Sequence, residues 1–328
     1  MELIKNNYQD QIVSGDQIVN DEISKGNFIE ANTIQVSLEH LKNDCIIPVF
    51  SKDNESTISH YQFINQTFKV AQQLFPDRKV LSPNIRVSHV IKGRIPSAVG
   101  KPAKELLDRE KTIYYERCAF MIEIPEIIQE INGNKISLVV GGVRAYNQEN
   151  LYSKKSLEKF KVFIGFKNWV CTNLCISSDG FSNEIRIASI DDLENQLDQL
   201  FTNYNAERHL NVMAEMKQIK ISEEKFAHLI GKCRMYQHLS KQEKQSLFPI
   251  EFNDGQLSNV VKNYYFDANF KKRNDEELNL WQLYNLFTGA NKSSYIDNHL
   301  ERNVNAYEFI NHIGFSINKG NANWFLTN

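Results

Sequence analysis

The spacing of hydrophobic positions changes character three times along this chain of 328 residues. The first thirty positions are rich in Asn, Asp and Gln and poor in large apolar residues, which predicts a flexible tail over 1–30. Between His60 and Phe75, residues Phe63, Ile64, Phe68, Val70, Ala71, Leu74 and Phe75 recur at close to a helical period, and Pro76 follows. That pattern predicts an amphipathic helix within a segment 31–78, stopped by the proline. The middle reads differently. NIRVSHVI at 84–91, RCAFMIEIP at 117–125, KISLVVGGVRAY at 135–146, KVFIGF at 161–166 and WVCTNLCIS at 169–177 are β-branched and aromatic runs. Asn132-Gly133, Lys167-Asn168 and Asp179-Gly180 are turn signals between them. Strands at such short spacing predict an antiparallel β domain over 79–190. Gly141-Gly142 inside one run predicts a bulge or a close backbone approach.

Beyond residue 189 the helical period returns. Ser189 with Asp192, Ser240 with Glu243, and Ser294 with Asp297 have the capping-box form. LENQLDQLFTNY at 193–204, KFAHLIGKCRMYQHL at 225–239 and LNLWQLYNLFTG at 278–289 read as helices, the last stopped by Gly289. Trp281, Tyr284 and Phe287 share a stripe broadened by Leu280 and Leu283, which predicts a buried face and not a base-stacking platform. The fold class expected is α+β: a largely antiparallel sheet mid-chain, followed by a mainly helical region over 191–328 packed on it.

Composition narrows the class. Hydrophobic residues make up 41% and charged residues 24% of the chain, which excludes a fibre and a wholly disordered chain. No apolar run is long enough to cross a bilayer, and the N-terminus lacks a signal-peptide pattern. Five cysteines, an odd number, read as reduced thiols in the cytoplasm. Cys171 and Cys175 read as small core hydrophobes on one strand face, since nothing nearby completes a zinc site.

Charge changes the picture more. The net charge is only −2. It divides, however, into −5 over residues 1–78, +7 over 79–171 and −4 over 172–328. Arg78 to Lys104 holds Arg78, Lys79, Arg86, Lys92, Arg94, Lys101 and Lys104 without one acid. Prolines 83, 96 and 102 keep most of it out of helix. Such a segment suits a phosphate backbone. Tyr114 and Tyr115 are the nearby candidates for base stacking, and Arg144, Lys154 and Lys155 extend the basic character. Strand alternation places Arg86, Lys92 and Arg94 on one exposed face with Ser88 and Val90. The competing reading is a solvated edge whose lysines discourage strand pairing.

Motifs for chemistry are missing. The sequence has no G-x-S-x-G, no H-E-x-x-H and no phosphate-binding glycine loop. Glu116, Glu123 and Asp179 are not set apart by spacing as a nuclease cluster. No catalytic residue, metal or cofactor is assigned.

YYERCAFMIEIP, GGVRAYNQENLYSKK, FKVFIGFKNWVCTNLC, HLIGKCRMYQHL and LWQLYNLFTGANKSSYID together resemble the uncharacterised Bacteroidota family called domain of unknown function 3871. The resemblance runs from about Ile29 to about Asn305. Val170-Cys-Thr-Asn-Leu174 and Trp281-Gln-Leu-Tyr-Asn-Leu-Phe-Thr288 are also similar to a broader phage/plasmid-like family, although Leu174 follows Asn173 directly where that pattern has an intervening Thr. The resemblance implies an accessory protein of a mobile element and carries no catalytic set. Three functions follow as expectations: sequence-independent binding of a DNA or RNA backbone, a protein-interaction or anti-defence module meeting a host or element-encoded protein, and an unrecognised nuclease.

Overall fold

The computed structural model describes residues 26–45, 57–98, 100–148, 157–273 and 277–326. The predicted tail over 1–25 lies outside the described residues. Residues 26–30 are placed: Phe28 and Ile29 are buried, and Glu30 and Ala31 donate backbone hydrogen bonds to the Lys292 carbonyl. The expected tail is therefore corrected at its end, where two large apolar side chains have a core to enter.

Among the described residues the sheet has seven strands, all paired antiparallel. They are β1 (Ile34–Val36), β2 (Asn84–Arg94), β3 (Lys111–Ile131), β4 (Asn134–Ala145), β5 (Glu158–Asn168), β6 (Leu174–Cys175) and β7 (Phe181–Ile187). The order is β1-β2-β3-β4-β5-β6, and β7 also pairs with β5. Asn132 and Gly133, both at positive φ, make the β3–β4 turn. Lys167-Asn168 is not a turn but the end of β5. The chain reverses just after it, where Thr172 takes φ 57°. That reversal reduces the expected strand 169–177 to Leu174–Cys175 and leaves Cys171 outside it. β7 begins just after Asp179-Gly180; its SNEIR pattern is too polar to announce a strand.

Helix α1 (Leu38–Asn43) follows β1, α2 (His60–Leu74) precedes β2, and α3 (Ile190–Asn203) follows β7. α2 starts at a full Ser59/Gln62 capping box, and α3 at Ser189, whose side chain accepts from the Asp192 amide. Phe63 of α2 stands edge-on to Phe120 at 4.9 Å and Phe160 at 4.7 Å. Gly142 makes this possible: a Cβ there would sit 2.6 Å from both the Phe63 ring and the Lys161 carbonyl. The Gly141-Gly142 pair thus marks close approach and not a bulge, because the β3–β4 register runs unbroken from Arg117↔Ala145 to Ile124↔Leu138. Gly142→Ala is expected to lower stability by about 1–3 kcal/mol through overpacking. Chemical denaturation checks this, and an unchanged midpoint would remove the glycine from the packing argument.

The remaining elements are α4 (Ala206–Glu215), β8 (Lys220–Ile221), α5 (Glu223–His238), α6 (Lys241–Gln245), α7 (Asp254–Phe266), β9 (Leu278–Asn279), α8 (Leu280–Asn291) and α9 (Ile296–Lys319). Trp281, Tyr284 and Phe287 are buried, as their spacing predicts. Two helix ends differ from expectation. Gly289 lies inside α8, because Asn291 and Lys292 continue the helical path. Ser294 does not cap α9, whose N-cap is Tyr295; its hydroxyl instead meets Gln256 and Arg302. One apolar core joins α2 and one sheet face to α5, α7, α8 and the C-terminal half of α9. On the other face Ile296, Leu300 and Val304 of α9 cover Ala119, Met121, Val139, Val143 and Phe163. No helix among the described residues is long and apolar enough to cross a membrane.

Candidate nucleic-acid interface

The basic segment forms a projecting two-stranded ribbon. β1 pairs with β2 only at residues 85–87, and β4 pairs with β3 only from Arg117 onward. Beyond those points Ser88–Arg94 and Lys111–Arg117 pair with each other and extend past the sheet. Residues 95–110 join them through short 3-10 turns at Pro96–Ala98, Ala103–Glu105 and Asp108–Glu110. Gly93 lets the strands close tightly, since a Cβ there would meet the Thr112 hydroxyl at 2.7 Å.

Register decides which cations share a face. Lys92 and Arg94 are two apart on β2, and Arg94 lies directly opposite Lys111. Val90, 43% exposed, is on that face too. Between Lys92 and Lys111 the chain carries six Lys or Arg against three Asp or Glu. Two of the acids are engaged locally: Glu110 pairs with Lys101, and Asp108 with Lys111 at 2.7 Å. Those contacts hold both carboxyls below their usual range. The Arg94 guanidinium donates to the Lys101 carbonyl, bracing the loop. Lys92, Lys104 and Arg109 stand exposed, without an ion pair among the described residues.

Several expected site residues lie elsewhere. Arg86 is only 9% exposed, and its guanidinium donates to the Thr33 hydroxyl and carbonyl. It sits where β1 still covers β2, and His89 at φ 59° interrupts the alternation between it and Lys92. Arg144 is buried between the Tyr146 and Phe160 rings and pairs with Glu158. Tyr115 is buried, with its hydroxyl on His40, and Tyr114 is half-buried against Tyr146. These four are corrected as surface contacts: packing on the sheet takes the rings and guanidinium groups inward. Lys154 and Lys155 lie outside the described residues. Lys111 and Arg109 were not legible as site residues, because the acids of LLDREK interrupt the basic run.

The described residues also contain one Cys–His–Asp arrangement. His40 Nδ1 is 2.8 Å from Asp44, and its Nε2 is 3.8 Å from the Cys45 thiol. It does not make a nucleophile. Burial, with Asp44 beside it, pushes that thiol up to about 12. The Tyr115 hydroxyl is nearer the same nitrogen, at 3.0 Å. The adjoining void is about 10 Å³, too small for a substrate. The cluster instead braces the ribbon along β3, where Cys45 also bridges Ile113, opposite Lys92. Nor do the imagined nuclease acids converge: Glu123 is buried with Lys167, while Asp179 binds Ser177 and the Asn205 amide.

No curated protein and no solved structure matches the chain. A family model matches residues 9–326, and this chain belongs to the family it describes, "Domain of unknown function, B. Theta Gene description" (DUF3871).

Proposed function

We propose that the protein is a cytoplasmic, non-enzymatic accessory protein of a mobile element, and that its β2–β3 ribbon binds nucleic-acid backbone without reading sequence. One observation carries the binding reading. A two-stranded arm leaves the sheet with Lys92, Arg94 and Lys111 on one face and a basic loop at its end. Lys and Arg heads at such an arm contact phosphates and release counterions. The mobile-element role rests on the resemblance of the strand and helix motifs to families carried on conjugative and phage-like elements.

A salt series of binding tests it. Affinity is expected to fall steeply with salt, and Lys92→Ala/Lys104→Ala/Arg109→Ala to flatten the slope by about 0.7–0.9 per lost contact. All three side chains are exposed, so the variant should melt like the wild type. Failure of the wild type to bind any nucleic acid at low salt, or an unchanged slope, would leave the protein-interaction reading ahead.

A further inference from the structure

We infer that the ligand class is B-form duplex DNA, with the ribbon lying in the major groove; this rests on the nucleic-acid reading above and goes on to choose among DNA and RNA forms.

The first argument is shape. The projecting part, Ser88–Arg94 against Lys111–Arg117, is seven residues long on each strand, or about 23 Å at about 3.3 Å per residue. Two paired strands lie about 4.8 Å apart and are about 10 Å thick with their side chains. A B-form major groove is about 12 Å wide and about 8.5 Å deep, and it admits a two-stranded ribbon. The major groove of an RNA duplex is deep and narrow and does not.

The second argument is what the arm lacks. Binding of single strands depends on aromatic platforms on which successive bases stack. Tyr114 and Tyr115 are the only Tyr, Phe or Trp between Ser88 and Arg117. Tyr115 is 5% exposed, with its hydroxyl bonded to His40 at 3.0 Å. Tyr114 is half-buried, its ring set edge-on to Tyr146 at 6.0 Å. Neither presents a free ring face along the arm.

The third is the arrangement of charge. The cations sit on the outer half of the arm and on its terminal loop, and the segment from α1 to Cys45 braces the β3 side of the arm, through His40 on Tyr115 and through the Cys45–Ile113 bridge opposite Lys92. An arm braced along one side, with its charge on the outer half and terminal loop, suits a ribbon laid along a groove, its Lys and Arg reaching the phosphates on either wall. Exposed Val90 on the same face offers an apolar contact to base edges, which raises no strong sequence preference.

The test is fluorescence anisotropy at low salt with a 20-base-pair DNA duplex, one of its single strands and the RNA duplex of the same sequence. The DNA duplex is expected to bind at least about tenfold more tightly than either alternative. Lys92→Ala/Lys104→Ala/Arg109→Ala should lose most of that preference. Dimethyl sulfate should find guanine N7 protected in the complex, and the minor-groove ligand netropsin should not displace the protein. Equal or tighter binding of the single strand or the RNA duplex, unprotected N7, or displacement by netropsin overturns the duplex inference while leaving the nucleic-acid reading in place. Binding to none of the three overturns both.

Discussion

Acidification from pH 7 to pH 4.5 is expected to unfold the protein cooperatively, and three buried histidines are the reason. His60, His209 and His299 are each at most 4% exposed. Burial pushes His60 and His209 down to about 3 and His299 down to about 4, from an ordinary 6.5. Each is built to be neutral. His60 Nε2 donates to the Tyr115 carbonyl at 2.8 Å, and its buried Nδ1 has no partner and faces the charge of Arg144. His209 meets the Tyr204 hydroxyl through Nδ1, and its Nε2 is buried and unpaired among aromatic rings. His299 donates to the Asn291 carbonyl through Nδ1 and accepts from Asn303 at Nε2. A second proton has no acceptor in the first two and must break a hydrogen bond in the third.

The sign follows from linkage. The unfolded chain takes up these protons near pH 6.5, whereas the folded chain resists until about pH 3–4. Stability is therefore full above pH 6.5 and falls as pH drops through that window. Each histidine contributes about 1.4 kcal/mol per pH unit, so three remove about 4 kcal/mol per unit. Glu251 and Glu308, whose carboxyls are raised by desolvation, oppose this, because the folded chain takes up their protons before the unfolded chain does. Two pH units below 6.5 thus remove about 8 kcal/mol, which is comparable to a typical total of about 5–15 kcal/mol. Denaturant titrations at intervals between pH 7 and pH 5 check this. An uptake of fewer than two protons on unfolding at pH 5 would show that the histidines do not govern the transition.

The parts legible in the sequence were those in which one local pattern sets the outcome. The α2 helix announced itself by its period and Pro76, and β2, β3, β4 and β5 by β-branched runs. The Trp281 stripe was legible because leucines flank it. What escaped depended on distant partners. Seven-residue β7 has no period of its own and exists because β5 offers it an edge. The polar positions of α9, including His299, Asn303 and Asn305, hid a 24-residue helix, since they are buried in hydrogen bonds, His299 to the Asn291 carbonyl, Asn303 to His299 and Asn305 to the Pro249 carbonyl. For the site, charge density alone located the segment. It could not separate Arg86, which Thr33 and β1 enclose, from Lys92 six residues on. Register supplied that distinction, and it also brought in Lys111 from a stretch whose acids masked it.

Lys167→Met is expected to cost about 3–5 kcal/mol, and Glu123→Leu/Lys167→Met to recover most of the loss. The two charges face each other across the sheet, 4% and 7% exposed, beneath the layer that covers β3, β4 and β5. Ser137 donates its hydroxyl to the same carboxylate and accepts from Trp169 Nε1 at 2.9 Å. Glu123 thus has both oxygens bonded, and its environment is tuned to a charged pair. Removing only the ammonium leaves a carboxylate without its counter-charge in a site closed to water, the situation that makes a broken buried pair expensive. Removing both charges deletes the desolvation cost together with the attraction, so apolar replacements of similar volume come close to neutral. Ser137 then loses an acceptor but keeps Trp169, which limits recovery by about 1 kcal/mol. A double-mutant cycle on denaturation midpoints reads the coupling directly. A single variant as stable as the wild type, or a double variant no better than the single, would show that the two charges do not depend on each other in this buried polar cluster.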